Sequence, residues 1–400
     1  MTFPTIYFVA GEVSADNHGA ALIRCLRQLE PGLKFIGRGG PQMQRVAGTS
    51  VTGRIRDGGQ FKNWIGDAAV LGLWEVLRKY HYFREQFRET LKEILEGKPD
   101  AVVLIDYPGF NLRLARALQR QSPQQKIIYY ISPQIWAWNP GRVNKMARAV
   151  DLVLCIFPFE ADLYKQSGMR AIFVGHPMME RLQARKIDLE RDPNLIGLFP
   201  GSRSREVRKI FPIMMETARQ LLRRKPTLHF QVAAASEQLA QEMNSATAAR
   251  EKQLIQIKVG QTAEIMQRAW AGIVASGSAT LEAAYFRMPF VLVYRVTWPT
   301  YLAARAVVNV NYLGMPNLLA DKEIVPEFIQ HQAKPDAIAK AMGPLIEDVH
   351  ARDQMISGFD AIIGKLGGSG ASETAAQAVL EELKELRFSS RPGGLETAAS

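Results

Sequence analysis

The sequence predicts an α/β protein made of two doubly wound, Rossmann-like domains facing a central cleft. Three observations predict it. Short β-rich apolar runs alternate with helical patterns along the whole chain, as parallel sheets wrapped by helices require. The alternation breaks once, over the polar stretch 178–194 (MMERLQARKIDLERDPN), and then restarts. Finally, 400 residues with 47% hydrophobic side chains suffice for two domains of roughly 150 residues or more, each with its own core.

In the first domain, residues 1–177, strands are expected at Ile6–Ala10, Lys34–Gly37, Ala101–Asp106, Lys126–Ile131, Leu152–Phe157 and Ile172–Gly175, with helices between them. One helix stands apart. Asp67–Glu96 carries Val70, Leu73, Trp74, Leu77, Tyr80, Phe83, Phe87, Leu91 and Ile94 at three- and four-residue spacing, flanked by Arg78, Lys79, Arg84, Arg88 and Lys92. Such a stripe is read either as a core-packing helix or as a membrane or acyl-chain contact through Val70, Leu73, Trp74 and Leu77. Residues 178–194 read as a linker. The second domain, 195–388, has strands expected at Leu195–Phe199, His229–Ala233, Leu254–Lys258, Gly272–Ala275 and Phe290–Val293, with helices after Ser204, Glu237, Thr262, Ala279 and Pro299. It closes on an amphipathic helix near Ala371–Leu386, and the tail 389–400 is expected to be disordered.

The charge excess, 50 Lys and Arg against 39 Asp and Glu, gives +11 and favours an anionic partner without choosing among nucleic acid, phosphorylated substrate and acidic membrane. Two cysteines 130 residues apart, outside any CxxC or Cys/His cluster, argue against a disulfide framework or structural zinc. The N-terminus has no signal-peptide pattern, and no apolar run approaches the roughly 20 residues that cross a bilayer. A cytoplasmic protein with at most peripheral membrane contact is the expectation.

Candidate chemistry lies where strands open into loops. After the first strand, Glu12, Ser14 and Asp16 are suited either to bind substrate hydroxyls or to cap the helix they open. Asp106 ends the third expected strand before Tyr107-Pro108-Gly109-Phe110-Asn111, the position of a general base or of an Asx turn. The loop 131–142 packs Trp136 and Trp138 between a strand and a helix, so it is expected to be covered or to contact a ligand. In the second domain, Gly201, Ser202 and Arg203 form a tight turn before a helix, a combination suited to a diphosphate. Ser276, Gly277 and Ser278 repeat the logic, and Glu282 one turn later is read as a ribose ligand or as a first-turn acid favoured by the helix dipole. No Walker loop, GxGxxG fingerprint or DxD pair occurs, and the six histidines show no metal-ligand spacing. No cofactor or metal is therefore expected.

Taken in order, AGEVSAD, GGPQM, AVLGLWEV, IDYPGFN, YYISPQIWAWNPGRV, DLVLCIFPFE, FVGHP, LFPGSRSREV, SGSATLEAA, VLVYRV and MPNLLADKEIVPEFIQ give the chain a sequence that resembles the lipid-A-disaccharide synthase family over nearly its whole length. The resemblance implies a GT-B fold with the acceptor on the N-terminal domain and the nucleotide on the C-terminal one. It implies inverting, metal-independent transfer from UDP-2,3-diacylglucosamine to the 6-hydroxyl of 2,3-diacylglucosamine 1-phosphate. Matched to the family pattern, Asp106 is the important aspartate, Arg203 the essential arginine, Glu282 a ribose ligand and Asn317 a nucleotide ligand. Contact with the anionic inner membrane and a homodimer are further implications. Two positions depart from the pattern: Ala15 replaces a glycine, and Gly109 replaces an acidic residue.

The rival within the same fold is another enzyme acting on a UDP-sugar, such as a UDP-N-acetylglucosamine epimerase or a transferase to a peptidoglycan precursor. AVLGLWEV and SPQIWAWNPGRV in the N-terminal half argue against it. A nucleic-acid-binding protein is disfavoured, because the basic residues are spread along the chain and no recognition motif is present.

Overall fold

The computed structural model of the chain describes residues 3–48, 61–65, 80–133, 141–187, 189–248, 253–298, 301 and 311–389. Val70, Leu73, Trp74, Leu77, the loop with Trp136 and Trp138, the helix expected after Pro299, and the tail from residue 390 lie outside them. The chain divides into two compact units, Met1–Pro177 with Gly367–Ser400, and Met178–Leu366.

The first unit holds seven parallel strands, β1 (Thr5–Ala10), β2 (Lys34–Gly39), β3 (Phe61–Asn63), β4 (Ala101–Ile105), β5 (Lys126–Tyr130), β6 (Leu152–Cys155) and β7 (Ala171–Phe173), in the order β3-β2-β1-β4-β5-β6-β7. Side chains alternate between two cores: Ile6, Phe8 and Ala10 of β1 enter one, Tyr7 and Val9 the other. Burial on both faces is why the strand reads as an unbroken apolar run. The sheet reverses direction of winding between β1 and β4, whose ends are level because Ala10 pairs with Ile105. Ligands of doubly wound sheets bind at such a switch point.

The second unit repeats the plan with β8 (Asp192–Phe199), β9 (His229–Ala234), β10 (Ile255–Val259), β11 (Ala269–Ala275), β12 (Phe290–Tyr294) and β13 (Glu327–Ile329) in the order β10-β9-β8-β11-β12-β13, all parallel. Its switch point lies between β8 and β11, where Phe199 pairs with Val274.

Three expectations are corrected. The closing helix Ala371–Ser389 belongs to the first unit: Ala375, Ala376, Val379 and Leu383 join the core of Ile23 and Leu26, and buried Glu382 pairs with Lys126 at 2.9 Å and Arg170 at 3.0 Å. The stretch 178–194 is structured, with a helix over Met178–Gln183 and β8 starting at Asp192. Two short strands, β3 and β13, were not expected.

The helix Tyr80–Gly97 turns Phe83, Phe87, Leu91 and buried Ile94 onto the second core, while Arg84, Arg88 and Lys92 stay exposed. This described part of the aromatic stripe is core packing. Fully buried Arg38 ties the helix to the sheet, donating to Gln86, to Glu89 at 2.9 Å and to Glu93 at 2.8 Å, while the Tyr7 hydroxyl donates to Glu93 at 2.6 Å. Although partial burial disfavours its charge, Glu93 is held down to about 2 by hydrogen bonds from Arg38, Lys62 and Tyr7. Its contribution to stability is complete above about 4.5, the ordinary value, and is lost as pH falls toward about 2. Arg38→Met is expected to lower stability by about 3 kcal/mol at pH 7, since removing one partner strands the other charges. A urea midpoint for the first unit equal to that of the native chain would contradict this.

Candidate active site

At the first switch point the chain leaves β4 through two consecutive left-handed residues, Asp106 at φ 45° and Tyr107 at φ 50°. Neither is glycine, so the turn costs of order 1–3 kcal/mol per residue, although aspartate tolerates the region better than most. Side chains hold it. Buried Asn111 donates to the Ile105 carbonyl at 3.2 Å and the Asp106 carbonyl at 2.8 Å, and the Tyr129 hydroxyl donates to the same Asp106 carbonyl at 2.6 Å. The Tyr107 ring lies over Gly11 at the end of β1, where any Cβ would overlap it. Trp64 packs edge-on to Tyr107 at 6.1 Å, lies 5.0 Å from Phe110, and donates its indole N–H to the Ala10 carbonyl at 2.7 Å.

The turn leaves the Asp106 carboxylate half-buried beside Glu12. Burial, reinforced by the Glu12 charge and opposed by a hydrogen bond from the Tyr107 backbone, pushes its carboxyl up to about 6. A carboxyl that titrates there is ionised at neutral pH yet basic enough to take a proton. Glu12 and Ser14 are exposed at the same strand end, with no side-chain cap on the helix Val13–Leu29. Asp16 is corrected: it is 2% exposed, and its oxygens accept the Gly40, Gln42 and Met43 amides at 2.9 Å each, capping the next helix, Pro41–Gly48. It is not placed to bind substrate.

Beside this turn a cavity of about 420 Å³ is lined by Pro108, Gly109, Leu112, Arg113, Arg116 and Lys145, among others. The three cations were missed in the sequence, because Arg113 and Arg116 stand on the helix Pro108–Gln121 and Lys145 on the helix Gly141–Ala147, 29 residues beyond Arg116, and form no motif. With a glycine at 109, no acidic side chain is among the lining residues.

The second switch point gathers what the sequence scattered. A cavity of about 380 Å³ is lined by Gly201, Ser202 and Arg203 after β8, by Ser276, Gly277 and Ser278 after β11, and by Glu282. Gly201 at φ 107° and Gly277 at φ 149° adopt conformations other residues rarely reach. No side chain caps the helices Ser204–Arg224 and Ala279–Tyr285; the Glu206 and Val207 amides donate to the Arg203 carbonyl, Thr280 to Gly277, and Leu281 and Glu282 to Ser278, so the amides ahead of these are the ones left for an anion. Arg203 is exposed, 3.1 Å from Glu206. Arg181 and Arg185, from the stretch read as a linker, also line the cavity. Arg181 meets Glu282 at 3.1 Å. Burial raises the Glu282 carboxyl above its usual range, and the two arginines oppose that shift. Their four-residue spacing was the only signal in the sequence.

Asn317 is the other correction. It is 1% exposed; its amide nitrogen donates to the Val325 carbonyl and Glu327, and its oxygen accepts from the Ile324 and Val325 amides. Both donors and both acceptor positions are spent internally, holding the loop before β13. Among the described residues, no group of three His, Cys, Asp or Glu is placed to hold a metal ion, and no helix is long and apolar enough to cross a membrane.

Two parallel-sheet units with sites at equivalent switch points define the GT-B class of glycosyltransferases and related epimerases. Over 98% of this chain and 100% of the other, the fold matches the S. aureus MnaA-UDP co-structure with a TM-score of 0.61 at 14% identity. CalG4, the calicheamicin glycosyltransferase, matches over 96% of this chain and 100% of its own with a TM-score of 0.55 at 14% identity. The lipid-A-disaccharide synthetase family profile matches residues 6–380. Lipid-A-disaccharide synthase from Geobacter sulfurreducens is 36% identical over 386 residues, 94% of this chain and 97% of that protein. The chain belongs to the lipid-A-disaccharide synthetase family, glycosyltransferases of lipid A biosynthesis.

The raised carboxyl makes a stability prediction. Between about 3.8 and 6 the folded chain binds the Asp106 proton that the unfolded chain has released, so stability falls with rising pH and the penalty is complete above about 6. A shift of about two units corresponds to at most about 3 kcal/mol. Asp106→Asn, which keeps the left-handed turn, is expected to unfold at higher temperature than the native chain at pH 7 and at an equal temperature at pH 4. Equal melting at both pH values would contradict the raised carboxyl.

Proposed function

We propose that the chain transfers 2,3-diacylglucosamine from UDP to the 6-hydroxyl of 2,3-diacylglucosamine 1-phosphate with inversion at C1, forming the β-1,6-linked disaccharide 1-phosphate and UDP. The observation that carries this reading is Asp106, a carboxyl pushed up to about 6 at a strand end. It takes the proton of the acceptor 6-hydroxyl as that oxygen bonds to C1. The bond from C1 to the diphosphate oxygen breaks, and its electron pair leaves with UDP. Arg203, the uncapped helix starts after Arg203 and Ser278, and Arg181 and Arg185 meet the charge that grows there. Gly201 and Gly277 allow the diphosphate close to the backbone. Glu282 exchanges Arg181 for the ribose hydroxyls, while Glu12 and Ser14 bind acceptor hydroxyls.

Arg113, Arg116 and Lys145 receive the acceptor phosphate, in a cavity that begins at Pro108, two residues after the base. Acylated substrates reside in a bilayer, so the enzyme works peripherally on the cytoplasmic face of the anionic inner membrane, aided by its +11 charge. Homodimerisation is part of the same proposal. No cofactor or metal takes part in this scheme, and nucleic acid is not a partner.

Incubating the purified chain with both monosaccharides and no added divalent metal is expected to release UDP in step with a disaccharide 1-phosphate. Substrates recovered unchanged, or UDP released without disaccharide, would refute the reading. Arg113→Ala combined with Arg116→Ala is expected to raise KM for the acceptor about tenfold or more, with kcat largely kept, since a charge-assisted hydrogen bond contributes about 1.5–3 kcal/mol. An unchanged acceptor KM would remove these residues from the site.

A further inference from the structure

A second cavity in the same unit, about 560 Å³, opens at the ends of β12 and β13. It shares the helix Ser204–Arg224 with the nucleotide cavity: Arg203 and Glu206 line one, while Lys209, Pro212 and Ile213 line the other. Across from them stand Val296 and Trp298. Its exposed lining is mostly carbon, unlike that of the nucleotide cavity and of the cationic cavity of the first unit.

The wall opposite the helix is held in place. Gln330, buried and left-handed at φ 54°, grips Val296 from both sides: its side-chain oxygen accepts the Val296 N–H at 2.8 Å, and its amide nitrogen donates to the Val296 carbonyl at 3.3 Å. This clamp fixes the segment that presents Trp298, which is 56% exposed. Trp298 meets Tyr301 edge-on at 5.9 Å, and the rest of its ring is left to line the cavity as an apolar wall. Arg208, Lys209, Arg295 and His331 also line the cavity, yet its exposed surface stays mostly carbon. Arg208 is engaged with Glu242, and long basic side chains lay apolar stems along such a cavity.

We propose that this cavity takes an acyl chain of the nucleotide-sugar donor against Pro212, Ile213, Val296 and Trp298, so that one unit reads both the nucleotide and the lipid of its substrate. The proposal rests on the reading of the donor as an acylated UDP-sugar. The nucleotide cavity supplies the anchor, the sugar lies beyond the diphosphate, and the chain continues along the shared helix into the apolar cavity. Each methylene buried there strengthens binding about fourfold.

The test titrates the full chain by calorimetry with UDP, UDP-N-acetylglucosamine and UDP-2,3-diacylglucosamine, the last below the concentration at which it aggregates. Native protein is expected to bind the diacylated donor more tightly than UDP-N-acetylglucosamine. Trp298→Ala is expected to weaken the diacylated donor about tenfold while leaving UDP unchanged, and Trp298→Phe to restore most of the loss. A Trp298→Ala variant that binds the diacylated donor like native protein would overturn the proposal. So would an equal loss for UDP, or a loss seen only in binding to anionic phospholipid vesicles, which would make Trp298 a bilayer contact. If native protein binds UDP but shows no preference for the acylated donor, the acylated-donor reading itself fails, an outcome distinct from the failure of the cavity assignment.

Discussion

The base proposed for the first unit depends on a left-handed turn that two buried side chains hold closed. Asn111 and Tyr129 both donate to the Asp106 carbonyl, and without them a pair of left-handed non-glycine residues would relax toward ordinary backbone. The turn leaves the Asp106 carboxylate half-buried, sets Tyr107 over Gly11, and keeps Glu12 close enough to oppose ionisation. Strain, burial and a neighbouring like charge therefore act on the same group. The chain spends stability to keep a carboxyl reactive at neutral pH.

The second unit solves the opposite electrostatic problem with the same topology. Its switch point lies between two glycine turns and two helix starts without side-chain caps, and arginines from two segments converge on it: Arg181 and Arg185 from one, Arg203 from the other. Where the first unit raises a carboxyl, the second collects positive charge, which is what the proposed base and the proposed leaving group require. Both follow from sheets that reverse winding beside their first strand, which splays neighbouring loops apart and leaves room for a ligand.

Much of this was legible in the sequence because the strands are buried on both faces. Val102 to Ile105 or Ile127 to Tyr130 leave little alternative to a central parallel strand. β3 and β13 were not legible: each has three residues at a sheet edge, too few for any period to emerge. The glycine turns and Asp106 stood out by position, since loops after parallel strands are where ligands bind. What a side chain does once there depends on partners that spacing does not reveal. Asp16 and Asn317 looked like ligand groups, but one caps a helix that begins 25 residues later and the other saturates a neighbouring loop. Arg181 and Arg185 were hidden for the converse reason, being ordinary surface residues until the fold brings them to Glu282. The closing helix was amphipathic either way, and only packing against Ile23 and Leu26 assigns it to the first unit.

The central claim is that the fold holds Asp106 as a base with its titration near neutrality. Infrared difference spectra between the native chain and Asp106→Asn, recorded from pH 4 to 8, isolate the carboxyl band of that one group. The account predicts a protonated carboxyl band that disappears with a midpoint of about 6, moving lower in a Glu12→Gln background. A carboxylate already fully ionised at pH 4.5 would contradict it.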